Sequence, residues 1–304
     1  MVNTSKNQPP CLRKGGYLML KSISYWSMPG GIEGTCTIAD AADAAKAAGY
    51  QAIELCIAET GVLTPETDQA TCEEYRQSVC DHGLALETLA SGMSWGISPT
   101  DPDPAVRRKS IDLHKAAIQR AAWLGCEAML FVPGAVRIPW DAGYGPVRYD
   151  HAVQWAREAI KELLPVAEAN GIDLYVENVW NGMFYSPVEL ADFIDSFNHP
   201  NLGIYFDVGN VLGYQQYPPH WIEILGTRIR RVHIKDFKCD VGSLAGFCDL
   251  LAGDVPFPQV MTALRGIGYD KTLVAEMMPP DDNLLERTSL AMDRILDNCE
   301  DKSC

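Results

Sequence analysis

Short apolar runs alternate with longer amphipathic segments along most of the chain, and this alternation predicts its secondary structure. Runs of four to six residues rich in Val, Ile, Leu, Phe and Tyr lie between turn formers, which is typical of buried strands. The segments between them repeat apolar residues every three or four positions, as helices packed on a sheet do. Eight strand-helix units follow one another without a composition break, so the sequence predicts a single α/β domain, a (β/α)8 TIM barrel.

The boundaries of these units follow from turn and capping residues. The predicted strands are residues 17–24, 52–56, 84–89, 128–132, 174–177, 203–207, 231–233 and 273–276. The predicted helices are residues 38–48, 65–83, 104–124, 151–169, 187–197, 219–225, 257–265 and 284–297. Thr37 suits an N-cap, and Pro104 suits a first helical turn. Residues 1–16 are polar, with two prolines and two glycines, which predicts a flexible tail before a barrel of residues 17–304.

One connection is long and lacks any periodicity. Residues 133–149 contain several glycines and prolines together with Trp140, Tyr144 and Tyr149. Loops of this length inside a compact domain are uncommon and usually functional. We expect this segment to act as a lid over the pocket.

Four of the predicted strands end on a residue that can bind a divalent metal. These residues are Glu177, Asp207, His233 and Glu276, which lie 30, 26 and 43 residues apart. A strand, a return helix and two loops need about 25–40 residues, so these separations fit successive barrel units. The carboxyl ends of all strands ring one mouth of a barrel, and the four side chains are therefore expected to meet there. Three carboxylates and an imidazole at one point repel each other unless a cation lies among them.

The ligand types indicate which ion binds and what it does. One imidazole and three carboxylates favour Mn²⁺, Mg²⁺ or Co²⁺ over a thiolate zinc site; one Mn²⁺ is expected first, with Mg²⁺, Co²⁺ and Zn²⁺ as alternatives. Four protein ligands leave one or two positions open on an octahedral ion, where the adjacent oxygens of a hydroxy-ketone would bind. Glu177 and Glu276 each keep one carboxylate oxygen for proton transfer, so they are the candidate acid and base of an enediolate reaction.

Three further residues are candidate substrate contacts. Glu54 alternates with Ile53 and Leu55 and is expected to point into the barrel, either toward a ligand or into a salt bridge below the site. Asn210 follows Asp207 by one helical turn and would bind a substrate hydroxyl or cap a helix. Lys235 follows His233 by two positions, so strand alternation points it at the same mouth, toward a substrate oxygen or phosphate or a neighbouring carboxylate.

Charge and cysteine content exclude several classes of function. The formal net charge of −15 opposes binding to nucleic acid, because phosphates are repelled at long range. The apolar run after the tail is too short for a signal sequence or a membrane span. Ten cysteines occur without a C-x-x-C pair, which indicates reduced thiols in a cytoplasmic protein.

The residues around the four strand ends also resemble the sequence motifs of a known family. Residues 176–178 read VEN, 206–210 FDVGN, 232–236 VHIKD and 274–277 VAEM, similar to the xylose isomerase-like barrels of sugar-phosphate isomerases and epimerases. The second and third segments, and DPDPAVR at 101–107, look most like L-ribulose-5-phosphate and L-xylulose-5-phosphate 3-epimerases. The resemblance spans about residues 20–296. It implies a metal-dependent ketose epimerase or isomerase that acts on a sugar or sugar phosphate through the four ligands and the two glutamates.

The resemblance leaves alternatives open. Free-ketose 3-epimerases of this kind carry a His three residues after the metal Asp and an Arg six after the metal His; Asn210 and Cys239 stand there, which counts against a free-sugar substrate. A hydroxypyruvate-type isomerase, an inositol-ketone dehydratase or a 3-keto-sugar lyase would begin with the same proton removal. An apurinic endonuclease would need more His ligands and less negative charge. A non-catalytic sugar-binding barrel would need an incomplete ligand set, and a homo-oligomer stays open.

Overall fold

Short strands that are buried on both faces pair side by side into a closed, all-parallel barrel. The computed structural model describes residues 19–297. Its strands are β1 (Lys21–Ser24), β2 (Ala52–Ile57), β3 (Thr88–Ser91), β4 (Ala128–Phe131), β5 (Asp173–Glu177), β6 (Leu202–Asp207), β7 (Ile229–Ile234), β8 (Asp236–Phe237), β9 (Phe247–Cys248) and β10 (Leu273–Ala275). The barrel order is β1-β10-β7-β6-β5-β4-β3-β2, and β8 and β9 form a separate antiparallel hairpin. The predicted eight-stranded TIM barrel is confirmed.

Helices surround the barrel and follow most of its strands along the chain. They are α1 (Ile38–Ala47), α2 (Gln69–Asp81), α3 (Pro104–Trp123), α4 (Tyr149–Asn170), α5 (Pro187–Asp195), α6 (Val208–Gly213), α7 (Pro218–Leu225), α8 (Phe257–Gly266) and α9 (Leu284–Asp297). The expected caps are present: the Thr37 hydroxyl accepts from the Asp40 N–H at 3.1 Å, and Pro104 begins α3. Their apolar faces cover the outer surface of the strands, and this burial is the main favourable term in folding.

Some boundaries differ from those expected. The apolar run predicted a strand over residues 84–89, but β3 begins at Thr88. Before it, Ala85 forms an isolated bridge to Ala52. Residues 132–148 contain neither helix nor strand, as the lack of periodicity predicted. The hairpin of β8 and β9 was not anticipated, because each strand has only two residues. The predicted tail lies outside the described residues.

One junction sets the geometry of the site. Asp207 ends β6 and also caps α6, since its Oδ1 accepts from the Asn210 N–H at 2.9 Å. The helix therefore begins directly at the barrel mouth, with no intervening loop. A Cβ at Gly209 would lie 2.7 Å from the Lys235 Cβ, so only glycine permits this close approach of α6 to the end of β7.

The cysteines and the helices test two expectations from composition. Cys80 is disulfide-bonded, so the expectation of reduced thiols is wrong at that position. The free thiols in the described range are Cys36, Cys56, Cys72, Cys126, Cys239 and Cys248. Among residues 19–297, no helix combines the length and apolar character that crossing a membrane requires.

Candidate functional site

Four neighbouring strands of the barrel bring the predicted metal ligands together at its mouth. Glu177 ends β5, Asp207 ends β6, His233 lies near the end of β7, and Glu276 directly follows β10. One ligand atom from each side chain lies within 4.8 Å of all the others, and all four residues are buried. The ladder pairs Asp207 with His233 across β6 and β7, which fixes their relative height in the barrel.

His233 is oriented by a carboxylate beneath it. Its Nε2 lies 2.9 Å from Glu54 Oε1, while its Nδ1 lies 2.8 Å from Glu276 Oε2 and 3.3 Å from Glu177 Oε1. When Nε2 donates its proton to Glu54, the lone pair of Nδ1 points at the ligand cluster. A second hydrogen bond of this kind is how proteins usually fix the tautomer of a metal-binding histidine.

Glu54 is therefore placed differently from the substrate contact expected of it. Its Oε2 accepts from the Thr88 hydroxyl at 2.7 Å and from the Tyr205 hydroxyl at 2.5 Å, and the side chain is completely buried. It faces the barrel interior, as alternation predicted, but it lies below His233 and outside the lining of the cavity. Of the two alternatives for Glu54, the structure favours the contact below the site.

Asp207 is held by an asparagine that sequence reasoning did not single out. Asn178 donates its side-chain N–H to the Asp207 carbonyl at 2.9 Å, and its Oδ1 accepts from the Asp207 N–H at 2.8 Å. Both backbone groups of the ligand residue are thus fixed by one side chain. Asn210 in turn donates to the Asn178 carbonyl at 3.0 Å and lines the cavity. The only sequence signal for Asn178 was its position directly after Glu177.

Lys235 lies at the edge of the ligand cluster. Its Nζ is 3.0 Å from Asp207 Oδ2 and 3.0 Å from Glu276 Oε2. The side chain is nearly buried and lines the cavity, in agreement with the alternation that points it at the mouth. Burial lowers the pKa of the ammonium, but Asp207, Glu276 and Glu177 outweigh it and raise that pKa well above its usual range.

The donor atoms fit a divalent metal ion. Asp207 Oδ2 and Glu276 Oε2 are fully buried, and neither accepts a hydrogen bond of good geometry from any described residue. Their contacts with Lys235 are electrostatic. Ligands on opposite sides of an ion with bonds of about 2.1 Å lie about 4.2 Å apart, so the 4.8 Å spread needs a contraction of only a few tenths of an ångström. Glu177, Asp207, His233 and Glu276 can hold such an ion.

The two glutamates have different electrostatic environments. Burial raises the pKa of Glu177 to about 7, even though His233 and Lys235 favour its ionised form. Burial also raises the pKa of Glu276, but Lys235 and His233 outweigh that effect and lower it to about 2. The cluster therefore pairs one carboxyl that binds a proton readily with one that stays ionised.

A large cavity opens directly above the cluster. Its volume is about 650 Å³, and Glu177, Glu276, Asn210 and Lys235 contribute to its floor. Asp207 and His233 lie deeper and are absent from its lining. The walls come from loops at the carboxyl ends of several strands and from the β8-β9 hairpin, and their large aromatic side chains are Trp26, Trp95, Trp140, Trp180 and Phe247.

The sequence and the fold resemble those of known proteins. The chain is 24% identical over 203 residues to the D-psicose 3-epimerase of Ruminiclostridium cellulolyticum, covering 65% of each protein and thus less than two thirds of that relative. It is 23% identical over 239 residues to the L-ribulose-5-phosphate 3-epimerase UlaE of Salmonella paratyphi A, covering 77% of this chain and 79% of the relative.

A solved structure extends the likeness to almost the whole fold. The D-psicose 3-epimerase of Clostridium cellulolyticum H10, determined with D-tagatose, superposes with a TM-score of 0.72 at 18% identity over 91% of this chain and 98% of that one. The family model described as xylose isomerase-like TIM barrel matches residues 42–294, which is most of the sequence. The chain belongs to the xylose isomerase-like TIM barrel family.

Proposed function

We propose that this protein is a metal-dependent ketose 3-epimerase in which Glu177 and Glu276 transfer the proton. The observation that carries the proposal is the layering of the site. Of the four ligands, only the two glutamates also line the cavity, whereas Asp207 and His233 lie beneath it. The two residues that reach a substrate are thus the two that can both bind the metal and exchange a proton.

The metal supplies the electrostatic part of the chemistry. Mn²⁺ bound by Glu177, Asp207, His233 and Glu276 would polarise a carbonyl and stabilise negative charge on its oxygen. Glu54 holds His233 in the tautomer that binds through Nδ1, and Asn178 holds the backbone of Asp207. These contacts keep the ligands in place before the ion arrives, which limits the cost of ordering them on binding.

The chain's own residues carry the remaining steps. One glutamate removes the proton from carbon 3, next to the carbonyl, and the other returns a proton to the opposite face. Asn210 and Lys235 also line the cavity, and in this proposal they contact substrate oxygens. A substrate that packs against the aromatic walls would be partly shielded from water, which would strengthen each electrostatic contact within the cavity. The names of the relatives, a psicose and a ribulose-phosphate 3-epimerase, support this reaction class.

Deuterium uptake from solvent tests the proposal. The EDTA-stripped protein is reloaded with Mn²⁺ or Mg²⁺ in deuterated water and given a panel of ketoses with and without a phosphate. We expect deuterium at carbon 3 and the appearance of the carbon-3 epimer, both dependent on the metal, as read by proton NMR. Uptake at carbon 1 would indicate an isomerase, and a new ultraviolet-absorbing enone would indicate a dehydratase or lyase. No uptake from any ketose contradicts the proposal.

A further inference from the structure

The charges around the cavity are poorly matched to a phosphate group. The carboxylic acids and bases that line it are four acids and one base, namely Glu59, Glu177, Asp236, Glu276 and Lys235. Lys235 is the single basic side chain of that lining within residues 19–297, and two carboxylates at 3.0 Å already hold its ammonium. A phosphate ester carries nearly two negative charges and would enter this cavity without a cationic partner of its own.

A bound metal does not remove this imbalance. The two positive charges of a divalent ion and the one on Lys235 are balanced by the three carboxylates of Glu177, Asp207 and Glu276. Two further carboxylates belong to the lining, and both already have partners. That of Asp236 accepts hydrogen bonds from backbone N–H groups, and that of Glu59 lies 3.5 Å from the Lys109 ammonium. The lining therefore offers an anionic substituent no cation that is free of a carboxylate partner, whereas a neutral substituent needs none.

The cavity is also larger than a single sugar requires. A water molecule occupies about 30 Å³ of liquid, so the twelve non-hydrogen atoms of a hexose displace at most about 360 Å³. The cavity of about 650 Å³ therefore has room for a second ring of similar size. Binding pockets of a few hundred cubic ångströms usually enclose most of their ligand, so unused volume would be unusual.

The outer part of the cavity presents the surface that a second ring would need. Trp95 and Trp140 meet edge to face with ring centroids 4.7 Å apart, and Trp140 is half exposed. A Cβ placed on Gly96 would lie 3.4 Å from Glu59 Oε2, so this carboxylate sits beside the tryptophan pair. A pyranose ring has an apolar C–H face and a polar rim. Aromatic rings suit that face, and a carboxylate accepts hydrogen bonds from hydroxyls on that rim.

We propose that the substrate is an uncharged ketose bearing a second sugar ring, and that this ring packs on Trp95 and Trp140 beside Glu59. The identity of the reacting ketose rests on the function proposed above. The preference for a neutral glycosyl group over a phosphate rests on the cavity itself. It also departs from the resemblance to ribulose-phosphate epimerases, because the chain lacks a free cation in the lining of the described cavity.

Binding of three matched ligands tests this proposal. D-fructose, D-fructose 6-phosphate and 6-O-glucosyl-D-fructose differ only at oxygen 6, where they carry a proton, a phosphate and a neutral sugar. Each is titrated calorimetrically into the Mn²⁺-loaded protein. We expect the glucosyl ketose to bind about tenfold more tightly than fructose, and the phosphate to bind no more tightly than fructose. Tightest binding by the phosphate, equal binding by all three, or no binding by the glucosyl ketose would overturn the proposal.

A variant of the aromatic pair locates the second ring. Trp140→Ala is expected to weaken binding of the glucosyl ketose about tenfold and to change that of fructose less than twofold. Tyr217→Ala removes another exposed aromatic side chain that does not line the cavity, and it should leave both affinities unchanged. Equal loss for both ligands in Trp140→Ala, or loss in Tyr217→Ala, would contradict the assigned position. Thermal unfolding of both variants checks that they are folded.

The binding and exchange experiments fail independently. Tight binding of the glucosyl ketose without deuterium uptake from any ketose would support the proposed substrate class and contradict the proposed epimerase activity. Metal-dependent deuterium uptake from a free ketose, together with no preference for the glucosyl group, would support the epimerase activity and contradict the proposed binding of a second ring.

Discussion

The two ends of the barrel both bury charged side chains, but only one end balances them. β7 contributes to both, because Arg231 and His233 occupy alternate positions along it and Lys235 directly follows its last residue. At the amino-terminal end, the Arg231 Nη2 lies 2.7 Å from Glu127 Oε2 and 3.6 Å from Glu87 Oε2. Arg231 thus faces away from the mouth. Its unpaired atom among the described residues is Nε, a donor.

The mouth has an excess of negative charge. There the unpaired buried atoms are two acceptor oxygens, on Asp207 and Glu276, and Lys235 is the ammonium closest to both. Surplus negative charge in a buried cluster is unfavourable unless a cation joins it. The comparison supports the proposal that the mouth is the functional end, because its charges leave room for a cation, whereas those at the other end pair with one another.

The largest expected effect comes from removing an acid at the mouth. Glu276→Gln keeps the size of the side chain but removes the carboxylate that we propose exchanges the proton, so we expect the fold to persist and deuterium uptake to fall about 10³-fold. Proton NMR in deuterated water measures the rate, and circular dichroism checks the fold. Glu87→Gln is the matched control at the other end and should keep most of the exchange rate. Full exchange in Glu276→Gln would remove this residue from the acid-base pair.

The barrel and the convergence of four ligands were predictable because both depend on local pattern. Each ligand directly ends an apolar run, and parallel barrel topology sends all such ends to one mouth. Alternation also pointed Lys235 and Glu54 to the interior. It could not distinguish a side chain that reaches the cavity from one that stops beneath a ligand, because that depends on the height of β2 relative to β7.

Features that depend on distant contacts were missed. The run over residues 84–89 is apolar enough for a strand. The hydrogen-bonded ladder nevertheless begins at Thr88, because Thr88 pairs with the first residue of β4. Asn178 has its role only because β5 and β6 are neighbours. The tryptophans of the cavity come from different loops, so their meeting is set by the closed barrel and not by any spacing in the sequence.

The next largest expected effect is a loss of stability from a change at the amino-terminal end of the barrel. Arg231→Met removes a buried guanidinium that faces Glu127 and Glu87, and breaking a buried ion pair costs about 3–5 kcal/mol. Urea unfolding measures the loss, which should occur with little change in the deuterium exchange rate. Arg108→Met removes a surface arginine that pairs with Glu162 and should change stability far less. A large loss of exchange in Arg231→Met would contradict the separation of the two ends.

Metal binding should stabilise the mouth and not the other end. At a hundredfold excess over the dissociation constant, Mn²⁺ is expected to stabilise the stripped protein by about 2.7 kcal/mol, which raises the melting temperature by roughly 5–10 °C. Asp207→Asn should lose most of this rise. Lys235→Met removes the ammonium that competes for two ligand oxygens, so it should melt earlier without metal and gain more from Mn²⁺. An undiminished rise in Asp207→Asn would exclude the proposed ligand set.

The smallest effect concerns a buried histidine outside both clusters. The His114 Nδ1 donates to the Ser110 carbonyl at 2.8 Å, and burial lowers the pKa of the ring to about 4. The unfolded chain takes up a proton near pH 6.5, so this group costs stability as pH falls from about 6.5 toward 4. Between pH 7 and 5.5 the loss is about 1 kcal/mol. His114→Gln should flatten that part of the urea-unfolding profile, and an unchanged slope would assign it to other groups.

The most direct test of the mouth as a metal-dependent proton-transfer site is a titration of the stripped protein. Mn²⁺ is added in steps while deuterium uptake by a ketose and bound metal are both measured. We predict that uptake rises in proportion to bound Mn²⁺ and saturates at one ion per chain, and that Asp207→Asn binds little metal and shows little uptake. Full uptake in the stripped protein, or uptake that does not follow the bound metal, would contradict this function for the four ligands.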